Sequence, residues 1–240
     1  MGQREVNQSS PMYDENADAS PFNALPPIVV ALAAVLAAGE LVLQAGAAGL
    51  VGGPGAVGWR LAAIEDYAFL DPVWDWMRDT GRYPPDQLLR LVTYPLIHGS
   101  FTHTAFVIVI TLAIGKAVGE VFNAAAFLAV FVLSCIVGAL AYGTLIDTRV
   151  PLMGGFPGAY GLIGAFTFLL WVRLAAVGAN SARAFSLIGV LMGLQLLFGL
   201  LFGAGHDWIA DLAGFCTGFL LSFVVSPGGW QRVKAKLRQR

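Results

Sequence analysis

The chain has 240 residues, of which 57% are hydrophobic and only 12% are charged. A soluble globular domain has roughly a quarter of its residues charged, so this composition is typical of an integral membrane protein and excludes an ordinary soluble fold. The formal net charge of −1 favours neither nucleic acid nor an acidic ligand as a partner.

The N-terminal segment, residues 1–25, is polar and is predicted to be a mobile tail. It has no apolar stretch following a basic start and preceding a small-residue cleavage site, so we expect no signal peptide. Its acidic residues stand among Asn, Gln and Ser; they are Glu5, Asp14, Glu15 and Asp18.

Six apolar stretches predict six membrane spans within residues 26–226. Crossing a hydrocarbon core of roughly 30 Å takes about 20 helical residues, and each stretch approaches that length. Glu40 interrupts the first one. A carboxylate within the membrane is costly, so we expect an inward-facing partner for it or a shorter helix. The stretches lie at about 27–51, 91–114, 124–146, 155–177, 184–204 and 208–226.

Residues 52–90 are predicted to form an interfacial first loop or a half-embedded helical hairpin rather than a span. Charged residues alternate there with aromatic rings, which prefer the depth of the lipid headgroups. The aromatic residues concerned are Trp59, Tyr67, Trp74, Trp76 and Tyr83.

The basic residues predict the orientation. Lys116, Arg173 and Arg183 fall on one side if the spans alternate, together with the basic tail 227–240. Because Lys and Arg in short loops mark the cytoplasmic side, both termini are predicted to be cytoplasmic. The short loops and compact body suit a bacterial inner membrane. The basic tail is expected to serve topology and attraction to anionic lipid.

Three motifs resemble those of rhomboid intramembrane proteases. The segment from Arg90 to His98 and His103 is similar to the start of the rhomboid second span. Residues 154–166, with Gly154, Gly161 and Gly164, resemble the fourth-span Gly-x-Ser-Gly and its glycine-rich helix. Residues 210–218, with Gly214 and Gly218, resemble the sixth-span Ala-His-x-x-Gly motif.

This resemblance implies an all-α, six-span membrane bundle in which the fourth-span glycines let the sixth helix pack closely. It also implies that the catalytic positions are degenerate. Read without gaps, Phe156 stands at the nucleophilic serine and Pro157 at the next glycine, while a one-residue shift puts Pro157 at the serine. Asp211 replaces the catalytic histidine, and Val107 replaces the asparagine that assists at the oxyanion.

Rhomboid chemistry requires a serine nucleophile, a histidine base and oxyanion donors. The resemblance therefore predicts a pseudoprotease with no catalytic residues and no cofactor or metal. As for other inactive members, it implies binding to transmembrane helices of other proteins, as an adaptor, assembly factor or accessory subunit of a membrane complex. The gap between the second and fifth spans would be the client surface.

Other functions stay open. One is an intramembrane hydrolase with a non-standard site around His98, His103 and Asp211, including a metal site with His206, although a spacing of five residues is poor for one helix face. Another is a transporter of protons or small solutes. Asp211 is expected to be protonated, or hydrogen-bonded to either histidine or to a fourth-span backbone group. Gln195 is expected to bond a neighbouring span in preference to a client.

Overall fold

The computed structural model describes residues 24–202 and 205–229. These residues are almost entirely helical, apart from short loops and one isolated antiparallel β-bridge between Phe69 and Leu152. The α-helices are α1 Pro27–Ala47, α2 Trp59–Tyr67, α3 Asp71–Thr80, α4 Pro85–Thr93, α5 Phe101–Gly119, α6 Ala124–Leu145, α7 Phe156–Ala176, α8 Ser186–Phe202 and α9 Trp208–Val225. Most of the two predicted polar tails lies outside the described residues.

Six helices in the described part of the chain are long and apolar enough to cross a membrane: α1, α5, α6, α7, α8 with the 3₁₀ turn before it, and α9. The first ends at Ala47, so it is shorter than its apolar stretch. Because the spans alternate in direction, the first loop and the N-termini of α5, α7 and α9 share one end of the bundle. We call it the loop end.

The predicted start of the second span is wrong. The sequence places that span at about 91–114, whereas α5 begins at Phe101 and ends at Gly119. Pro95, which lacks an N–H, lies in a 3₁₀ turn that ends the preceding helix α4. The Ser100 side chain then accepts a hydrogen bond from the N–H of His103 at 3.2 Å, which caps the new helix.

The first loop is folded. It contains α2, α3 and α4, and it is joined to the segment ahead of α7 by backbone hydrogen bonds between Phe69 and Leu152 of 3.0 and 2.9 Å. The Asp71 carboxylate accepts a further bond from the N–H of Thr148 at 2.9 Å. These bonds fix the loop over the end of the bundle, next to the start of α7.

Helices α6, α7 and α9 form the tightly packed centre. A β-carbon on Gly218 would overlap the carbonyl oxygen of Gly161, and one on Gly164 would overlap that of Phe215. Gly214 faces the carbonyl of Pro157 in the same way. In lipid, small residues on facing helices let the backbones approach closely, and here they do so along the whole α7–α9 contact.

Helix α8 lies at the periphery. Only 12% of its span is buried, against 50% for α7. Its first half packs through Ile188, Leu191 and Met192 against α7 and α9. Its second half exposes large apolar side chains, namely Leu194, Leu196, Leu197, Leu200 and Leu201.

Candidate functional site

Three rings meet at the loop end of the bundle. His103 in the first turn of α5 stacks on Phe156, the first residue of α7, with ring centroids 5.0 Å apart and planes 20° apart. His98, which is buried ahead of α5, meets His103 edge to face at 5.3 Å. The first two motif segments therefore converge on one site, with Phe156 in direct contact with a retained histidine.

Two glycines bring the start of α7 against these rings. Gly154 has a φ of 89°, and a β-carbon there would lie 2.7 Å from Cε1 of His103. The N–H of Gly155 donates to Nε2 of His98 at 3.3 Å. Val107 is fully buried against Gly155, whose β-carbon would lie 3.1 Å from its methyl group. Val107 therefore supplies an apolar contact to the backbone turn at Gly155.

His98 is neutral at ordinary pH. Burial, followed by the nearby ring of His103, lowers the pKa of His98 to about 4. A neutral imidazole has one ring nitrogen free to accept, which matches the bond that Nε2 receives from Gly155. His98 thus links the end of the first loop to the start of α7 through this hydrogen bond.

Asp211 has a different hydrogen-bond partner from those expected. Its Oδ2 accepts from Nε2 of Gln195 in α8 at 2.8 Å, and Oε1 of Gln195 accepts from the hydroxyl of Tyr160 in α7 at 3.2 Å. This chain joins three spans through their few polar groups. The expectation that Gln195 bonds a neighbouring span is confirmed.

A cavity of about 290 Å³ opens between these groups. The predicted positions Phe156, Pro157, Asp211 and His103 all line it, so the three motifs surround one space. Its other lining residues are Leu152, Met153, Tyr160, Gln195 and Asp207. Among these residues there is no serine, threonine or cysteine, and His206 lines an adjacent cavity instead.

A second polar cluster lies beside the histidines. Glu40 of α1 is 3% exposed and forms an ion pair with Arg60 of α2, at 2.7 Å from Oε1 to the guanidinium. Gln44 donates to Oε1 at 2.9 Å, and Thr104 of α5 donates to Oε2 at 2.8 Å. Arg60 also donates to the carbonyl oxygen of His98 at 2.6 Å. The sequence indicated a partner for Glu40, but nothing in it pointed to Arg60, which lies in the loop.

Arg90 holds the first loop in shape. Its guanidinium donates to the carbonyl oxygens of Glu65 and Ala68 at 2.9 and 2.8 Å, and its Nε donates to Gln87 at 2.9 Å. Arg90 lies in α4, apart from the cavity. It supports the loop that covers the site and contacts no cavity residue through these bonds.

Within residues 24–202 and 205–229, no group of three or more His, Cys, Asp or Glu side chains is placed to hold a metal ion. The polar side chains that line the cavity are a histidine, a phenol, an amide and two carboxyls. Such groups can bind a polar ligand and can hold or move a proton.

Comparison with known proteins matches the chain to the Rhomboid domain family over residues 85–228, more than half of its length. The chain belongs to the rhomboid family. It is also 28% identical over 137 residues to the protein named "Putative rhomboid protease YdcA" from Bacillus subtilis (strain 168). That alignment covers 56% of this chain and 66%, just under two thirds, of the relative.

The family match confirms the predicted fold, a helical rhomboid-like bundle with six candidate spans in the described residues. The matched region includes all three motifs and every cavity-lining residue. This rhomboid-family chain is therefore an integral membrane protein whose motif residues surround one cavity.

Proposed function

We propose that this chain is a catalytically inactive rhomboid-family protein that binds transmembrane segments of other membrane proteins, as an adaptor, assembly factor or accessory subunit. The proposal rests above all on the lining of the cavity at the motif residues. Phe156, Pro157 and Asp211 line it, and none of the described residues that line it is a serine, threonine or cysteine. A phenyl or pyrrolidine ring cannot attack a carbonyl carbon.

The stacked geometry supports the same proposal. The ring of Phe156 lies face to face with the imidazole of His103, so an apolar ring contact occupies the position that the resemblance aligns with the nucleophilic serine. Val107 offers an apolar group where an oxyanion donor is needed, and it is fully buried. An intact scaffold without these groups is suited to binding.

The periphery of the bundle supplies a surface for a client helix. The second half of α8 leaves Leu197 and Leu200 49% and 84% exposed, and little of α5 packs against it. Packing between helices in lipid depends on shape and on polar contacts, because lipid chains are as apolar as leucine. Between α5 and α8, a client segment would find a surface to pack against and a polar contact, because Gln195 lies close to the surface there.

The orientation proposed from the basic residues agrees with the arrangement of the helices. Lys116 near the end of α5, Arg173 near the end of α7 and Arg183 before α8 all lie at the end opposite the first loop. That end is proposed to be cytoplasmic, in a bacterial inner membrane, with the basic tail drawn to anionic lipid.

Site-directed photo-crosslinking in native membranes tests the binding function. A photoreactive phenylalanine analogue replaces Leu197 on α8 or, as a control, Leu133 on α6, which is 40% exposed against 49% for Leu197. The proposal predicts a discrete crosslink to one membrane protein from position 197 only, and co-purification of that protein in constant ratio. Equal, diffuse crosslinking from both positions would contradict it.

A further inference from the structure

We propose that the cavity beside Asp211 receives a basic side chain, arginine or lysine, carried by the transmembrane segment that the protein binds. This inference rests on the proposed function and specifies its client. The side chain would pair with the Asp211 carboxylate within the membrane, where neither charge can be left alone without cost.

The Asp211 carboxyl group has hydrogen-bonding capacity that the described residues do not use. Its side chain is only 3% exposed, and it lines the cavity. Oδ2 accepts one bond from Gln195, while Oδ1 has no hydrogen-bond partner among the described residues. A carboxylate can accept about four hydrogen bonds, so a guanidinium or ammonium donor entering the cavity would find acceptor positions free.

The walls of the cavity include carboxyl groups and aromatic rings. In the described part of the chain, no lysine or arginine lines this cavity or the neighbouring one. Asp207 lines both cavities, and Asp211 lines the first. Phe156 and Tyr160 line it too, with ring centroids 6.4 Å apart and planes inclined at 52°. Aromatic faces with carboxylates nearby attract cations, and arginine in particular.

A neighbouring cavity extends from this one to the exposed half of α8. A second cavity of about 310 Å³ shares Gln195 and Asp207 with the first. Its other walls include Leu196, Gly199 and Leu200 on the exposed half of α8. Together the two cavities lead from the lipid-facing edge of α8 to Asp211. A long side chain with an apolar stem and a charged head fits such a path.

The position of Asp211 fixes the depth of the client residue. Asp211 is the fourth residue of α9, so it lies roughly one helical turn, about 5 Å, from the loop end of the span. The client is therefore expected to carry its basic residue about one turn inside its own span, at the same end.

The test uses the full chain in nanodiscs and fluorescent leucine-rich transmembrane peptides. One peptide has arginine one turn inside the loop-end boundary, the second has citrulline there and the third leucine. Citrulline keeps the shape of arginine without its charge. We expect the arginine peptide to bind at least about tenfold more tightly than the citrulline peptide. Asp211→Asn, which keeps an acceptor for Gln195, should remove most of this difference, while Asp75→Asn in the exposed first loop should preserve it.

The outcomes separate the inference from the function it rests on. If all three peptides bind equally well to the unchanged protein, binding of segments stands and the basic-residue inference falls. If none of the three peptides binds, the proposed binding function and the basic-residue inference are both refuted. If free ethylguanidinium binds in an Asp211-dependent manner while arginine and citrulline peptides bind alike, the cavity takes a small cation and the inference is overturned. The peptide comparison needs no variant, so it holds even if Asp211→Asn fails to fold.

Discussion

Replacing Arg60 by leucine should destabilise the protein strongly, because it leaves the Glu40 carboxylate buried without its ion pair. Arg60 supplies two of the four hydrogen bonds to this carboxylate, at 2.7 and 3.1 Å, and a third bond to the carbonyl of His98. Gln44 and Thr104 would remain as partners.

The expected magnitude follows from that geometry. Removing one partner of a buried ion pair costs about 3–5 kcal/mol. Two neutral donors stay on Glu40, and the Arg60 side chain is 19% exposed, so the lower end, about 3 kcal/mol, is expected. Replacing both Glu40 and Arg60 by leucine removes the stranded charge, so the double variant should recover much of the loss.

The assay is a double-mutant cycle of unfolding free energy in mild detergent or nanodiscs. Arg78→Leu is the matched control, because Arg78 also pairs with a carboxylate, that of Asp75, but this pair lies exposed in the first loop. It should change stability very little. If Arg60→Leu were as mild as Arg78→Leu, or if the double variant were less stable than either single one, the role assigned to this cluster would be refuted.

Two further predictions concern packing and pH. Gly218→Ala should lower the free energy of unfolding by about 1–3 kcal/mol or more, because the new methyl group would overlap the backbone of Gly161. The control Gly193→Ala has open space around it, so it should be neutral or slightly stabilising. Thermal unfolding of both variants measures the difference. Since the folded state holds the pKa of His98 at about 4, below the usual value of about 6.5, the unfolded state takes up a proton first. The free energy of unfolding should therefore be highest above about pH 6.5 and should fall by up to about 3 kcal/mol towards pH 4. Denaturant titrations at several pH values should show a weaker pH dependence for His98→Gln than for the unchanged protein. The same pH dependence in both proteins would contradict this prediction.

The spans were readable from the sequence because hydropathy over about 20 residues reflects a simple physical demand, the thickness of the hydrocarbon core. The start of α5 could not be read in the same way, because residues 91–100 are apolar enough to resemble part of a span. The signals that mark the true boundary are local: Pro95 interrupts the helix, and Ser100 caps the next one.

The site was predictable to the level of its motifs and no further. The sixth-span motif places Asp211 at the position of the catalytic histidine, but its partner Gln195 lies on another span, and that pairing depends on how helices pack. Glu40 and Arg60 pose the same problem, since one is in α1 and the other in the loop. Spacing along a chain identifies neighbours on one helix, whereas these contacts join separate elements.

The central claim, that the chain lacks rhomboid catalysis, is tested most directly with the purified protein in nanodiscs. A fluorophosphonate serine-hydrolase label and cleavage of a transmembrane substrate would be measured in the same sample, beside an active rhomboid protease as positive control. The account predicts neither labelling nor cleavage above the empty-nanodisc background. Labelling or cleavage that one substitution in this chain abolishes would reveal a nucleophile and contradict the claim.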